Sequence, residues 1–194
     1  MTRIPYVALD DLEPRVRDVV ERVEPINLIR VMAHAQGSLE SIIRLSDSVL
    51  NRAKIDPIVR QLALIRLCVV IGSDYERVQL ESVSAGYGMD KALIAQGRIG
   101  STSTELTELQ RMGCKLAEEL AGSVRPSETT FQYFMEHLPV REFVELIQAI
   151  GFYAMQARMI ETFDVSFEDP PIDLSGRMDK VDPEHLRKWR NGEA

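Results

Sequence analysis

Residues 57–71, PIVRQLALIRLCVVI, are apolar on most sides of a helix. Leu62, Ile65, Cys68 and Val69 make one face at helical spacing, and Leu64, Leu67 and Ile71 widen it. Such a helix has almost no side to give to water, so other segments must wrap it. Asp56 is placed to cap it and Pro57 to occupy its first turn, where a missing N–H costs nothing.

The wrapping segments are also helical in period, and no credible hairpin interrupts them. Residues 12–23 alternate apolar and charged groups, with Pro14 in the first turn and Pro25 as a stop. Residues 27–35 and 38–50 form two short helices divided by Gly37, the second with Ser38 as N-cap. Asp74 caps a helix over 74–85 that Gly86 and Gly88 end, and a short helix over 89–96 stops at Gly97. Thr102 and Glu105 fit a capping box opening a longer helix that runs to Gly122. Ser127 caps a helix through Leu138, and Pro139 opens the last one, 140–163. That last helix is apolar on both sides, which predicts a central or interface position. The fold class is all-α.

The chain has 194 residues, enough for one domain with a sizeable core. Its net charge of −7 argues against a nucleic-acid partner. No apolar run approaches the roughly 20 residues that span a bilayer, and MTRIPYVALDD does not read as a signal peptide, so we expect a soluble protein with no membrane partner, cytoplasmic by default. Cys68 and Cys114 sit far apart inside apolar helical patterns, the spacing of neither a disulfide framework nor a zinc site, and are expected to be reduced core residues. From Asp164 onward the composition turns to Asp, Pro, Lys and Arg, and residues 170–194 read as a tail anchored only by Trp189.

The stretch from Asp56 to Met89, with Arg60 and Arg66 bracketing an apolar run and then Ser73-Asp74-Tyr75-Glu76 and Gln79, resembles the carboxymuconolactone decarboxylase and alkylhydroperoxidase D superfamily. The resemblance covers roughly Ile4 to Asp169 and implies an AhpD-like orthogonal helical bundle over 1–169 that assembles as a homo-oligomer, a dimer, trimer or hexamer. The redox branch of that superfamily carries a Glu, a Cys-x-x-Cys and a His, which fall here on Gln61, Ser73, Glu76 and Leu80. All four differ. Ser73 cannot shuttle electrons, Glu76 cannot resolve a sulfenate and Leu80 cannot accept a proton, so thiol peroxidase chemistry is excluded at these positions.

The groups that remain point to acid–base chemistry. His34 closes Asn27-Leu28-Ile29-Arg30-Val31-Met32-Ala33-His34, which resembles a segment of the Cys-less members, and histidine exchanges protons near neutrality. Its plainer reading is a cap on a short helix. Glu76 and Tyr75 begin the helix that bears the superfamily's reactive face, and a carboxyl in an apolar pocket can act as acid or base. Gln61, Ser73 and Leu80 are expected beside them as substrate-binding groups. Arg66 could hold a substrate carboxylate, although for Arg66 and Arg30 structural ion pairs are the commoner use. His137 and His185 have no constellation around them.

Together these features predict a cofactor-independent, metal-free enzyme acting on a small organic acid or lactone, as a decarboxylase, isomerase or related lyase. His34 would act as acid, with Tyr75 and Gln61 on the enolate oxygen and Glu76 close to His34. The rival is a catalytically inactive member of the superfamily that serves as a binding or assembly protein.

Overall fold

The computed structural model describes residues 2–23 and 25–175, and the tail beyond, with His185 and Trp189, lies outside the described residues. Among the described residues there are α-helices and three short 3-10 turns, and no strand. The helices are α1 (Pro14–Val20), α2 (Asn27–Met32), α3 (Gln36–Asn51), α4 (Pro57–Ile71), α5 (Asp74–Gly86), α6 (Lys91–Ile99), α7 (Glu108–Gly122), α8 (Glu128–His137) and α9 (Val140–Phe163). No described helix is long and apolar enough to cross a membrane.

The axis of the bundle is α4, which packs against α5, α6, α7 and α9. Leu62, Ala63, Leu64, Ile65 and Leu67 are fully buried, as the all-round apolar pattern requires. Asp56 accepts from Ile58 N at 2.7 Å and Pro57 follows as the first helical residue. Two polar residues of this helix, Arg60 and Gln61, are also inside. Arg60 is fully buried, donating to the Leu50 carbonyl at 3.1 Å and the Tyr87 hydroxyl at 2.7 Å.

Several helix boundaries differ from their sequence signals. Gly37 and Ser38 lie inside α3, and Ser38 turns its hydroxyl back to the Ala35 carbonyl instead of capping. Asp74 is the first residue of α5 and binds Arg77; the cap position belongs to Ser73. Gly97 does not stop α6. A Cβ there would sit 3.1 Å from Leu62 Cδ2 and 3.3 Å from Ile65 Cγ2, so the glycine lets α6 lie close on α4, and the helix ends at Gly100. The capping box of α7 is Thr107 with Gln110. Thr102 is in a 3-10 turn and Glu105 binds Gln96.

Beyond α9, residues 164–175 run back across the molecule. Val165 and Leu174 are buried, Ser166 N donates to the Tyr6 hydroxyl at 3.0 Å, and Ser82 ties down Asp173 and Leu174. The first residues assigned to the tail, 170–175, therefore include a segment fastened to α5.

Candidate active site

Between α2, α3, α5 and this returning segment lies a cavity of about 420 Å³. Its walls are aliphatic, with Leu28, Ile29 and Met32 from α2 and Ile42, Ile43 and Leu50 from α3. From α5 come Tyr75, Glu76, Gln79, Leu80 and Val83, one helical face at spacings of three and four, and α9 adds Tyr153 and Gln156.

Glu76 is the group that stands out. It is 4% exposed, its Oε2 has no hydrogen-bond partner, and burial alone pushes its pKa up to about 8. A carboxyl with no cation to offset desolvation keeps its proton at neutral pH. Gln156 is also buried and lines the same space.

Tyr75 and Gln79 line the cavity but are committed elsewhere. Glu168, on the returning segment, accepts from the Tyr75 hydroxyl at 2.5 Å and from Gln79 Nε2 at 2.8 Å, and it also accepts from Asn27 N at 2.8 Å. Phe167 packs on the Tyr75 ring with centroids 5.6 Å apart. Burial, then the Glu168 hydrogen bond and charge, push the Tyr75 phenol well above its ordinary value, so it stays a donor aimed at Glu168. Sequence reasoning missed Glu168 altogether. It stands in an Asp- and Pro-rich run with no helical period, far along the chain from its partners.

The expected partnership of His34 with Glu76 is not formed. His34 is exposed, in the 3-10 turn after α2, and its Nε2 lies 2.8 Å from the Pro5 carbonyl. The α2 face that meets the cavity carries Leu28, Ile29 and Met32, which leaves the imidazole turned toward the N-terminal segment. Gln61 is fully buried but lies outside the cavity lining, its Nε2 donating to Ser84 Oγ at 3.2 Å. Ser73 is likewise buried away from the lining. Gln61 Oε1 and Ser73 Oγ, like Glu76 Oε2, have no hydrogen-bond partner. Native proteins leave few such atoms, yet three fall on residues that the sequence singles out as candidates for the site.

Arg66 is taken by structure. Its Nε binds Glu118 Oε1 at 2.6 Å and its Nη1 the Arg98 carbonyl at 2.7 Å, away from the cavity. Arg30 lies over the Tyr6 ring and donates to the Val7 carbonyl. His137 is exposed and stacks on Tyr133. Cys68 and Cys114 are buried and unpaired; burial pushes the Cys68 thiol far up and that of Cys114 to about 12, so neither is a thiolate near neutrality. Among the described residues no cluster of His, Cys, Asp and Glu is placed to hold a metal.

No protein-family model matches the chain, and no curated protein matches it in sequence. Solved structures do. The alkylhydroperoxidase AhpD core of an uncharacterized peroxidase-related protein from Ralstonia eutropha JMP134 superposes with a TM-score of 0.76 at 16% identity, covering 93% of this chain and 97% of that one. An uncharacterized peroxidase-related protein from Silicibacter sp. TM1040 gives 0.72 at 13% identity, over 85% and 91%. The fold is therefore the AhpD-like helical bundle that the resemblance implies.

Proposed function

We propose that this protein is an acid–base enzyme that relocates a proton on a small carbonyl compound inside the cavity, with Glu76 as the proton-transfer group. The observation that carries this reading is the buried Glu76 carboxyl, without a hydrogen bond at Oε2 and with its pKa raised to about 8. Proton transfer is most effective when the group's pKa lies near the working pH. The role first expected of His34 passes to Glu76, and that of Tyr75 and Gln61 on the enolate oxygen to Gln156.

In the ionised form Glu76 takes the proton from carbon next to the substrate carbonyl. The C–H electron pair moves into the carbonyl, whose oxygen gains enolate charge and accepts from the Gln156 amide. The same carboxyl returns the proton to a conjugated carbon, giving an isomer with no atom gained or lost. One titratable group suffices. The apolar walls exclude competing water and strengthen the hydrogen bond to the enolate.

Hydrogen–deuterium exchange on a panel of simple ketones, enones and lactones in D2O, followed by NMR, tests this. We expect exchange above the buffer rate, rising as pH approaches about 8, and lost in Glu76→Gln. Binding without exchange across the panel would sink the enzyme reading and leave a binding protein.

We also infer a homo-oligomer, in keeping with the apolar stripe of Val140, Val144, Ile147 and Met155 exposed on α9. Ile147→Asp should lower the mass seen by light scattering, and a monomeric parent protein would overturn the inference. A cytoplasmic location belongs to the same reading, in keeping with two unpaired cysteines.

A further inference from the structure

A second buried atom in the cavity lacks a partner, and its sense is opposite to that of Glu76. Asn51, the last residue of α3, lines the cavity, and its Oδ1 is buried with no hydrogen bond. The orientation of this amide is fixed by Asp47, whose Oδ1 accepts from Asn51 Nδ2 at 2.8 Å. A residue of the cavity wall therefore carries a buried acceptor left without a donor. Protonated Glu76 supplies the complementary deficiency, an acid without an acceptor at Oε2. Leaving a buried polar atom unpaired is costly, so a ligand that satisfies both gains twice.

We propose that the cavity is built for an uncharged, largely apolar carbonyl compound that also carries a hydroxyl, the carbonyl accepting from protonated Glu76 in the resting complex and from Gln156 once Glu76 is ionised, and the hydroxyl donating to Asn51 Oδ1. This names the substrate class of the site assigned above and rests on that reading for its chemistry, though not for its binding. An anionic group at the Asn51 end would meet the amide oxygen and the Asp47 carboxylate. A cationic group would find Asp47 already paired, since its Oδ2 lies 2.9 Å from Arg52 Nη2. Arg22, on the same lining, is solvent-exposed and attracts an anion only weakly. Tyr75 and Gln79 do not compete for the hydroxyl, because both are held by Glu168, and Asp173 is taken by Ser82 and Ser175 N. The volume of about 420 Å³ lies within the range of pockets that enclose small organic ligands.

The test is a matched set of probes: 4-hydroxyacetophenone, 4-methoxyacetophenone and acetophenone, titrated by calorimetry against the parent protein, Glu76→Gln and Asn51→Leu. The hydroxyl compound should bind about tenfold more tightly than the methoxy compound, which can accept but not donate, and the preference should vanish in Asn51→Leu. Retained acetophenone binding by Asn51→Leu shows that the cavity survives, and Asn51→Ala serves if the leucine variant does not fold. Equal binding of the three probes, or a hydroxyl preference that persists in both Asn51 variants, overturns the proposal. Glu76→Gln keeps a donor for the carbonyl and should retain the preference while lacking proton transfer. A preference without any exchange in the parent protein would thus refute the enzyme reading alone, and exchange without a preference would refute the ligand assignment alone.

Discussion

On the α7 side of α4, Glu118 accepts from Arg66 Nε at 2.6 Å, Ser101 N at 3.1 Å and Ser101 Oγ at 2.6 Å. On the α5 side, Glu76 Oε2 accepts from nothing. Burial raises the pKa of both, but for Glu118 the Ser101 and Arg66 interactions outweigh it and the net shift is downward, whereas for Glu76 nothing opposes it. The surrounding packing follows the same division. A Cβ on Gly113 would lie 3.0 Å from Val59 Cγ1, so α7 lies directly on α4, with Leu116 and Cys114 fully buried beside it. On the outer face of α5 the side chains border a cavity instead. One half of the bundle satisfies its polar groups and closes over them; the other keeps a neutral acid facing open space. That difference separates a carboxylate serving the fold from one available to a ligand.

The largest contrast should come from trimming a leucine in each half. Leu116→Ala empties a fully buried site away from the cavity and should cost about 3 to 5 kcal/mol, while Leu80→Ala widens a cavity that already exists and should cost about 2. Denaturant unfolding of both variants measures the gap. Equal costs would mean that the cavity closes in solution and the two halves are packed alike.

Glu76 offers the next test. Its carboxyl holds its proton to about pH 8 in the folded chain, against an ordinary value of 4.5 when unfolded. Its contribution to stability is therefore fully present below pH 4.5 and is lost as pH rises through the window up to about 8. At ~1.4 kcal/mol for each pH unit, the loss is on the order of 5 kcal/mol. Glu76→Gln removes that slope. The two unfolding curves, measured from pH 5 to 9, should diverge up to about pH 8 and run parallel above it, and a pair parallel throughout would show that Glu76 is ionised and paired after all.

Glu168→Gln should cost about 1 to 3 kcal/mol, because the new amide presents an N–H2 where Gln79 Nε2 already donates. Amide exchange at Asn27 N, which Glu168 also binds, should quicken as the returning segment loosens. An unchanged rate would show that the segment is held without this side chain.

How much of this the sequence carries depends on whether the governing contact is local. The burial of α4 is written in its own residues, and so is its Asp56-Pro57 start, because capping and apolar patterning act within a turn or two. Gly97 was misleading because a glycine that ends a helix and one that admits a neighbouring helix look the same in sequence; Leu62 and Ile65 decide between them. The capping box of α7 was ambiguous for a similar reason. Thr102 with Glu105 and Thr107 with Gln110 both satisfy the pattern, and long-range bonds from Ser101 to Glu118 and Ser103 to Gln96 hold the earlier pair in a turn. In the site, the α5 face of Glu76 and Leu80 was readable from helical spacing. The Glu168 clamp was not, since nothing beside Glu168 in sequence marks its partners.

His34 gives the smallest expected effect and the sharpest check on which half of the molecule owns the chemistry. The imidazole is exposed and makes one hydrogen bond, to Pro5 O at 2.8 Å. Removing it should cost no more than about 1 kcal/mol, the usual worth of a single hydrogen bond that water can replace. Proton exchange on carbonyl probes should be unaffected, because His34 does not line the cavity and its ring is held at the Pro5 carbonyl. His34→Ala is therefore the control for Glu76→Gln, with both assayed at the same pH and probe concentration. If His34→Ala keeps its melting temperature yet loses exchange, the turn after α2 must swing inward during turnover, and Glu76 does not act alone. If exchange is retained while Glu76→Gln abolishes it, the proton resides on the buried carboxyl whose Oε2 has no partner.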